Sequence, residues 1–207
     1  KTYGQEAKTT NELFHQYMEF LKRHDLQKNQ TLIISQRSLE SIICEHKNIM
    51  LGRNKQVRFY DKEEYDVSRF LLLLNLEVHH NVLVSTLKIF RENKDIMDEY
   101  NILDEYELHS FLKRILKNEK KDRVQFRRMP MIEFGTADLK KQVLELIVEM
   151  APVSSNDLAQ RYEMKYGVKS ATVKANMLKK FSEYYHNGLY NIDLISLEEE
   201  KLEKLRS

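Results

Sequence analysis

Two adjacent segments of this chain repeat the same spacing of apolar residues, and this repetition constrains the fold more than any other feature of the sequence. Intervals of ten and twelve residues lead from Ile102 through Leu112 to Val124 in one segment, and from Val168 through Leu178 to Tyr190 in the next. A period of this length corresponds to one supersecondary unit. The chain is therefore predicted to be a tandem array of similar small units.

The last of these repeats is predicted to begin with two helices. Residues 139–150 place apolar side chains at helical spacing, and Pro152 ends that helix because proline cannot continue it. Ser154 or Ser155 can cap the second helix, since a serine hydroxyl accepts a hydrogen bond from a free N–H of the first turn. Gly167 stands where a helix C-terminus favours a left-handed residue.

A third helix and a hairpin complete the last repeat. Ser170 is predicted to cap the third helix, and its apolar face consists of Val173, Met177, Leu178 and Phe181. Asn187-Gly188 is a tight-turn dipeptide, and residues 189–195 alternate like a strand. Three helices followed by a hairpin is the layout of a winged helix-turn-helix.

The middle repeat follows the same plan. Its first predicted helix carries Val67, Phe70, Leu71 and Leu74. Ser85 lies where Ser154 or Ser155 lies in the last repeat, at the predicted cap of the second helix. Asp104 heads the third helix with Glu107 three residues on, which predicts a capping box. Residues 121–134 supply the wing.

A third copy precedes these two. Residues 10–24 are predicted to form a helix that turns Leu13, Tyr17, Phe20 and Leu21 inward. Ser35 or Ser38 caps a second helix, and residues 57–59 are the predicted wing strand. The first helix of this copy is predicted to be short or missing, as expected for a fragment of a longer protein that starts at Lys1 rather than at a methionine.

The predicted fold class is mainly α with short β-hairpins, in tandem winged helix-turn-helix units. The predicted boundaries are 1–62 for a partial first repeat, 63–134 for the middle repeat, 135–195 for the last repeat and 196–207 for a charged helical tail. Five glycines and two prolines among 207 residues are too few for a sandwich, a barrel or a Gly-looped nucleotide fold.

Signatures of catalysis are not evident. Neither a phosphate-binding GxxxxGK[ST] nor a GxGxxG motif occurs. His79 and His80 are adjacent and would point apart on a helix, which argues against a metal site. Glu163-Met164-Lys165 resembles the E-x-K of metal-dependent nucleases but lies on a predicted helix. We therefore expect no enzyme activity, no cofactor and no metal.

The compartment can also be predicted. A single cysteine, Cys44, cannot form an internal disulfide, which favours the cytoplasm. The longest apolar run, residues 70–74, is too short to cross a bilayer.

Positive charge is concentrated in the middle repeat. Between Lys113 and Arg128, eight basic residues stand against Glu119 and Asp122, a local net charge of +6 in a chain whose total is +2. On the third helix, the residues predicted to face outward are His109, Lys113, Arg114 and Lys117. Arg127 and Arg128 lie on the predicted wing. This density favours a phosphate-binding patch over a solvated helix face, with internal pairing to Asp95, Asp98 and Glu99 as the alternative.

The last repeat has a similar outward face. Its members are Lys169, Thr172, Asn176, Lys179 and Lys180. Lysine binds phosphates, and asparagine can read base edges from a helix in the major groove. An ordinary solvated lysine face explains the same residues equally well.

These repeats resemble the HARE-type winged helix-turn-helix family of chromatin proteins, restriction enzymes and the delta subunit of bacterial RNA polymerase. The matching segments are 85–126 and 155–192. The phrases DEYELHSFLKRI and RRMPMIEFG are also similar to the C-terminal parts of large bacterial proteins with sigma-factor-like helix-turn-helix repeats. The resemblance implies DNA-linked or transcription-linked work without catalysis.

The sequence therefore predicts a non-catalytic DNA-binding module of a larger bacterial transcription-linked or defence protein. Duplex DNA is the expected partner, contacted by basic third helices and wings. RNA polymerase or the rest of its own polypeptide is a further expected partner. The alternative is a winged-helix scaffold that binds proteins and makes no direct DNA contact, which the near-neutral total charge favours.

Overall fold

The structure is a computed structural model that describes residues 8–29, 31–32, 34–116 and 123–192, and of Cys44 only the backbone. The chain divides into two compact units. Unit 1 holds the described residues of Lys1–Leu76 and Asn93–Lys121, and unit 2 holds those of Glu77–Glu92 and Asp122–Ser207.

Helices dominate both units. The α-helices are α1 Thr10–Arg23, α2 Gln36–Glu45, α3 Val67–Leu74, α4 Thr86–Glu92, α5 Lys94–Glu99, α6 Glu105–Ile115, α7 Leu139–Met150, α8 Ser155–Tyr166 and α9 Ser170–Thr172. A π-helical turn, Val173–Met177, and a 3₁₀ segment, Leu178–Tyr184, continue α9. Further 3₁₀ turns are Leu26–Lys28, Arg53–Lys55, Lys62–Glu64 and Leu76–Val78. No helix among the described residues is long and apolar enough to span a bilayer.

The strands are short and fall into three groups. They are β1 Lys8–Thr9, β2 Ile49–Leu51, β3 Gln56–Phe59, β4 Val82–Ser85, β5 Val124–Phe126, β6 Met131–Phe134, β7 Val153–Ser154, β8 Tyr185–His186 and β9 Leu189–Tyr190. Each group forms an antiparallel sheet whose strand order is first, third, second: β1-β3-β2, β4-β6-β5 and β7-β9-β8.

This sheet order shows that one plan is used three times. In each copy a short strand leads directly into a helix, and the second strand of a later hairpin returns to pair with it. The predicted fold class, mainly helical with repeated helix-plus-hairpin units, is confirmed.

The helix ends of the last repeat follow the predicted signals with one exception. Ser154 caps α8 by accepting from the Asp157 N–H, and Gly167 ends it with φ 73°. Ser170 is not the cap that the sequence predicted, because Lys169 occupies that position and Ser170 is the first helical residue. The Ser170 N–H instead donates to Glu163 Oε2 at 2.8 Å.

The first repeat matches its prediction at both helix starts. Thr9 and Glu12 form a capping box at α1, and Ser35 caps α2. Leu21 is buried at 1% exposure. The inward placement of Phe20 is wrong, since its side chain is 38% exposed.

The predicted capping box at α6 is half correct. Asp104 accepts from the N–H groups of Tyr106 and Glu107. The Glu107 carboxylate does not return to Asp104, because one oxygen accepts from the Leu103 N–H and both are engaged by Arg58.

Each unit has its own apolar core. In unit 1, aromatic rings pack edge-on or tilted in a cluster, with Phe70 5.2 Å from Phe111 and 4.8 Å from Tyr100 between ring centroids. In unit 2 the buried centre includes Leu146, Ile147 and Leu158, all fully buried. Leu112 in unit 1 and Leu178 in unit 2 are buried, as their matched spacing predicts.

The compact units divide the chain differently from the predicted repeats. The α3, α5 and α6 elements of the middle repeat belong to unit 1, while β4, α4, β5 and β6 belong to unit 2. Repeat boundaries follow sequence similarity and compact units follow spatial contacts, so the boundaries at 62 and 134 stay predictions. The predicted tail, 196–207, lies outside the described residues.

Candidate nucleic-acid interface

The third helical segment of the last repeat, residues 170–184, has one buried and one exposed side. Val173, Leu178 and Phe181 are buried on the core side. On the exposed side, together with the cap residue Lys169, lie Thr172, Lys174, Asn176, Lys179 and Lys180. The structure therefore places together the residues that the sequence predicted for this face. We call this set the basic helix face.

The π-helical turn in this segment widens the exposed side. Lys174, Ala175 and Asn176 are consecutive and all exposed. A regular α-helix would turn Lys174 inward, because it precedes the buried Leu178 by four residues. The π-helical turn closes its hydrogen bonds over five residues instead of four and shifts this register. Sequence reasoning missed Lys174 for that reason.

Positive charge on the basic helix face is largely uncompensated. Residues 169–186 contain four lysines and a single acidic residue, Glu183. Within the described part of the chain, Lys169, Lys179 and Lys180 form no ion pair. Lys174 donates to the neutral Asn156 Oδ1 at 3.0 Å. The face therefore retains the charge needed to attract an anion.

The wing of the last repeat is joined to the same segment. Asn187 and Gly188 turn the β8–β9 hairpin with φ of 51° and 85°. The Tyr190 hydroxyl is buried and donates to the Leu178 carbonyl at 3.1 Å, which ties the wing to the helix. His186 Nε2 lies 2.9 Å from the Glu183 carbonyl oxygen. The exposed tip of the wing is thus held beside the end of the helical segment.

The preceding helix holds the start of the basic helix face in place. Gly167 ends α8 in the left-handed conformation, and Glu163 on α8 accepts from the Ser170 N–H. Val168, which follows Gly167, is buried, with 7% of its surface exposed. These contacts fix the position of the backbone at the start of the segment, and therefore the positions of Lys169 and Thr172.

The third helix of the middle repeat, α6, differs from the prediction. His109 was expected on the outer side and is 2% exposed, so that placement is wrong. Lys113 is exposed. Arg114 is half-buried, with Nη1 3.6 Å from Met50 Sδ. Lys117 lies outside the described residues.

Contacts with the first repeat explain the burial of α6. Arg53 pairs with Glu105 at 2.6 Å, and the Leu51 N–H donates to Ser110 Oγ at 3.4 Å. Arg58 holds Glu107 with two hydrogen bonds, from Nε at 2.7 Å and from Nη2 at 2.8 Å. The first wing and its connecting turn therefore cover the N-terminal half of the helix that was predicted to face DNA.

The two arginines of the middle wing, Arg127 and Arg128, are exposed. Arg127 Nε lies 2.5 Å from Glu133 Oε2, and this hydrogen bond lowers the pKa of the Glu133 carboxyl. The predicted middle patch is divided between the units, since Lys113 and Arg114 belong to unit 1 and Arg127 and Arg128 to unit 2.

Of the adjacent histidines His79 and His80, His79 packs against an aromatic ring. The His79 ring lies 5.0 Å from the Phe134 ring between centroids, and burial lowers the pKa of His79. Across the described residues, no group of three or more His, Cys, Asp or Glu side chains is arranged to hold a metal ion.

Comparison with known proteins gives no relative. No protein-family model, curated protein or solved structure matches this chain. The resemblance to HARE-type winged helices therefore stays a prediction from the sequence.

Proposed function

We propose that this chain binds duplex DNA through the basic helix face and wing of its last repeat. It does so as a non-catalytic module of a larger bacterial transcription-linked or defence protein in the cytoplasm. The observation that carries the proposal is the exposed side of segment 170–184, on which lysines remain without acidic partners among the described residues.

The residue types on this face suit the two parts of DNA recognition. The lysines supply phosphate contacts, which position a protein on the duplex without reading its sequence. Asn176 is exposed midway along the face, and its amide can both donate to and accept from an adenine edge in the major groove. Thr172 lies one turn before it and can contact either a phosphate or a base.

Within this proposal the last repeat contributes the binding helix, and the middle repeat does not. The N-terminal half of α6 carries Glu105 and Glu107, both buried and bonded to arginines of the first repeat. A helix whose start is acidic and is already covered by the first repeat is unsuited to bind the phosphate backbone of DNA. A contact from Arg128 on the middle wing stays a prediction.

Salt dependence of binding to a fluorescent duplex tests the proposal. Four lysine–phosphate contacts would give a slope of log affinity against log salt of roughly −4, at about −0.9 per phosphate. Lys179→Ala should make the slope shallower by about one unit on any sequence. Asn176→Ala should weaken binding only to a preferred sequence, found by selection from a random pool.

Lys140→Ala is the matched control. Lys140 is also an exposed lysine of unit 2, but it lies on α7 rather than on the third helical segment. Its replacement should leave both affinity and slope unchanged. A flat salt response of the unaltered chain, or an equal effect of Lys140→Ala and Lys179→Ala, would contradict the proposal.

The second candidate is a protein-interaction scaffold. It is favoured by α6 itself, because the third helix of one repeat already serves as a packing surface for another. Under this reading the lysines of the basic helix face would bind an acidic protein surface. Absence of DNA binding at low salt, with a partner retained by the chain and lost in the Lys179→Ala variant, would favour the scaffold.

A further inference from the structure

Burial at the end of the third helical segment of the last repeat follows a period of three residues. Residues 178–184 form a 3₁₀ helix, in which side chains three positions apart lie one above the other. One row faces the core and consists of the buried Leu178 and Phe181 and the half-buried Tyr184. The next row is exposed throughout and consists of Lys179, Ser182 and Tyr185.

This period places Tyr185 on the same side of the segment as Lys179, which is a member of the basic helix face. The backbone bends at Phe181, where φ is −116° and ψ is 27°. The exposed and buried rows nevertheless continue through this bend and reach Tyr185, the residue that ends the helix. An exposed aromatic side chain thus follows the lysines along one side of the repeat.

Packing against the wing holds the Tyr185 ring in place. Tyr185 on β8 lies directly opposite Tyr190 on β9, so the two rings share one face of the sheet, with 4.9 Å between their centroids. The Tyr190 hydroxyl donates to the Leu178 carbonyl, which turns this face toward the helical segment. Tyr185 still keeps 43% of its surface exposed. Its ring is therefore fixed on the wing and open to solvent.

A fixed and exposed aromatic ring beside phosphate-binding lysines suits an unpaired strand of DNA. Lysines hold the backbone of such a strand, and an aromatic ring stacks on one of its bases. The rise of the helix from Lys179 to Tyr185 is about 12 Å, at about 2 Å per residue. This rise corresponds to about three to four stacked nucleotides at about 3.4 Å each. A strand bound at Lys179 therefore reaches Tyr185 a few nucleotides further along.

Base pairing decides whether Tyr185 can stack. In a closed duplex each base face is covered by the neighbouring bases, so a tyrosine ring finds a free base face only where a base is unpaired or at a duplex end. We propose that the last repeat binds duplex DNA beside an unpaired strand, and that Tyr185 stacks on a base of that strand. Because the lysines must first hold the backbone, this role of Tyr185 rests on the function proposed above.

Two duplexes that differ only in the bases of an unpaired tail test this role. Both contain the same fluorescent duplex, and the tail carries thymines in one and the same number of abasic sugars in the other. The two tails have equal charge, so lysine contacts contribute equally to both. Fluorescence anisotropy with the full chain should show the thymine tail binding at least about 5-fold more tightly, because stacking on one base contributes that much affinity.

Variants of the chain locate the stacked base. Tyr185→Ala should remove the difference between the two tails, and Tyr185→Phe should keep it because the aromatic ring remains. Leu189→Ala is the matched control, since Leu189 is 39% exposed on the opposite face of the same wing, and it should leave the difference unchanged. Lys179→Ala should weaken the binding of both tails by the same factor. Circular dichroism of each variant checks that it folds.

The outcomes separate this role from the function on which it rests. Equal affinity for the two tails, with binding retained, would overturn the role of Tyr185 and leave duplex binding by the lysines intact. A difference that Tyr185→Phe removes, or that Leu189→Ala reduces as much as Tyr185→Ala does, would also overturn it. Absence of binding to either tailed duplex at low salt would contradict the proposed function and this role together.

Discussion

The buried ion pair between Arg58 on β3 and Glu107 on α6 is predicted to make unit 1 sensitive to the loss of either partner alone. The two side chains are 12% and 4% exposed and are joined by two hydrogen bonds. Removing one member leaves the other charge buried without its partner, which costs about 3–5 kcal/mol. Arg58→Met and Glu107→Met should each lower the free energy of unfolding by about that amount.

The double variant should be more stable than either single variant. Replacing both residues by methionine removes the buried charges together and keeps apolar volume in the site. It still loses the acceptor for the Leu103 N–H and the donor to the Asn101 carbonyl, so a residual cost of about 1–2 kcal/mol remains.

Urea unfolding followed by circular dichroism measures these differences. Arg161→Met is the matched control, because the Arg161–Glu149 pair is solvent-exposed, with both side chains 43% accessible. Exposed pairs contribute little, so this variant should unfold almost as the unaltered chain does. The reasoning would be refuted if Arg58→Met lost as little unfolding free energy as Arg161→Met. It would also be refuted if the double variant lost as much as the two single variants added together.

Two further predictions concern unit 2. Leu178→Ala should cost about 2–5 kcal/mol in urea unfolding, because the side chain is 3% exposed and its loss leaves a cavity; a cost below about 0.5 kcal/mol would show that the face is assigned wrongly. The hydrogen bond from Arg127 holds the pKa of Glu133 below the unfolded value of about 4.3, so its stabilisation is present above that pH and is lost as the pH falls through the folded pKa. Melting temperatures measured down to about pH 3 should fall less for Glu133→Gln than for the unaltered chain, and parallel curves would exclude this contribution.

Helix starts were the most predictable part of the fold. A hydroxyl or carboxylate at the cap acts on an N–H two or three residues later, so the signal is local and can be read from sequence. Thr9, Ser35, Asp104 and Ser154 all act in this way. The irregular course of 173–184 carries no such signal, because the choice between α, π and 3₁₀ geometry there depends on packing within the repeat.

The exposure of the candidate site residues was predicted less well than the fold, and their role in binding stays a prediction. Charge density along the sequence favoured the middle repeat, but whether a helix face is covered depends on residues far away in the chain. Arg58 and Glu107 are in contact although they are 49 residues apart in the sequence, and no feature of the sequence near α6 indicates this contact. The exposed residues of the last repeat were predicted correctly apart from Lys174, because the face they share is set mainly by local helical spacing.

Charge at the start of the third helix separates the middle repeat from the last. The cap, first and third helical positions are Asp104, Glu105 and Glu107 in α6, and Lys169, Ser170 and Thr172 in the last repeat. In a helix-turn-helix these N-terminal positions come closest to the bases and the backbone. Carboxylates there stabilise the helix and attract arginines from the same chain, but they repel phosphate. In the last repeat a lysine and two hydroxyl residues take these positions, and Glu163 on the preceding helix accepts from the Ser170 N–H. This position packs against the first repeat in the middle repeat, and we propose that it contacts phosphate in the last repeat.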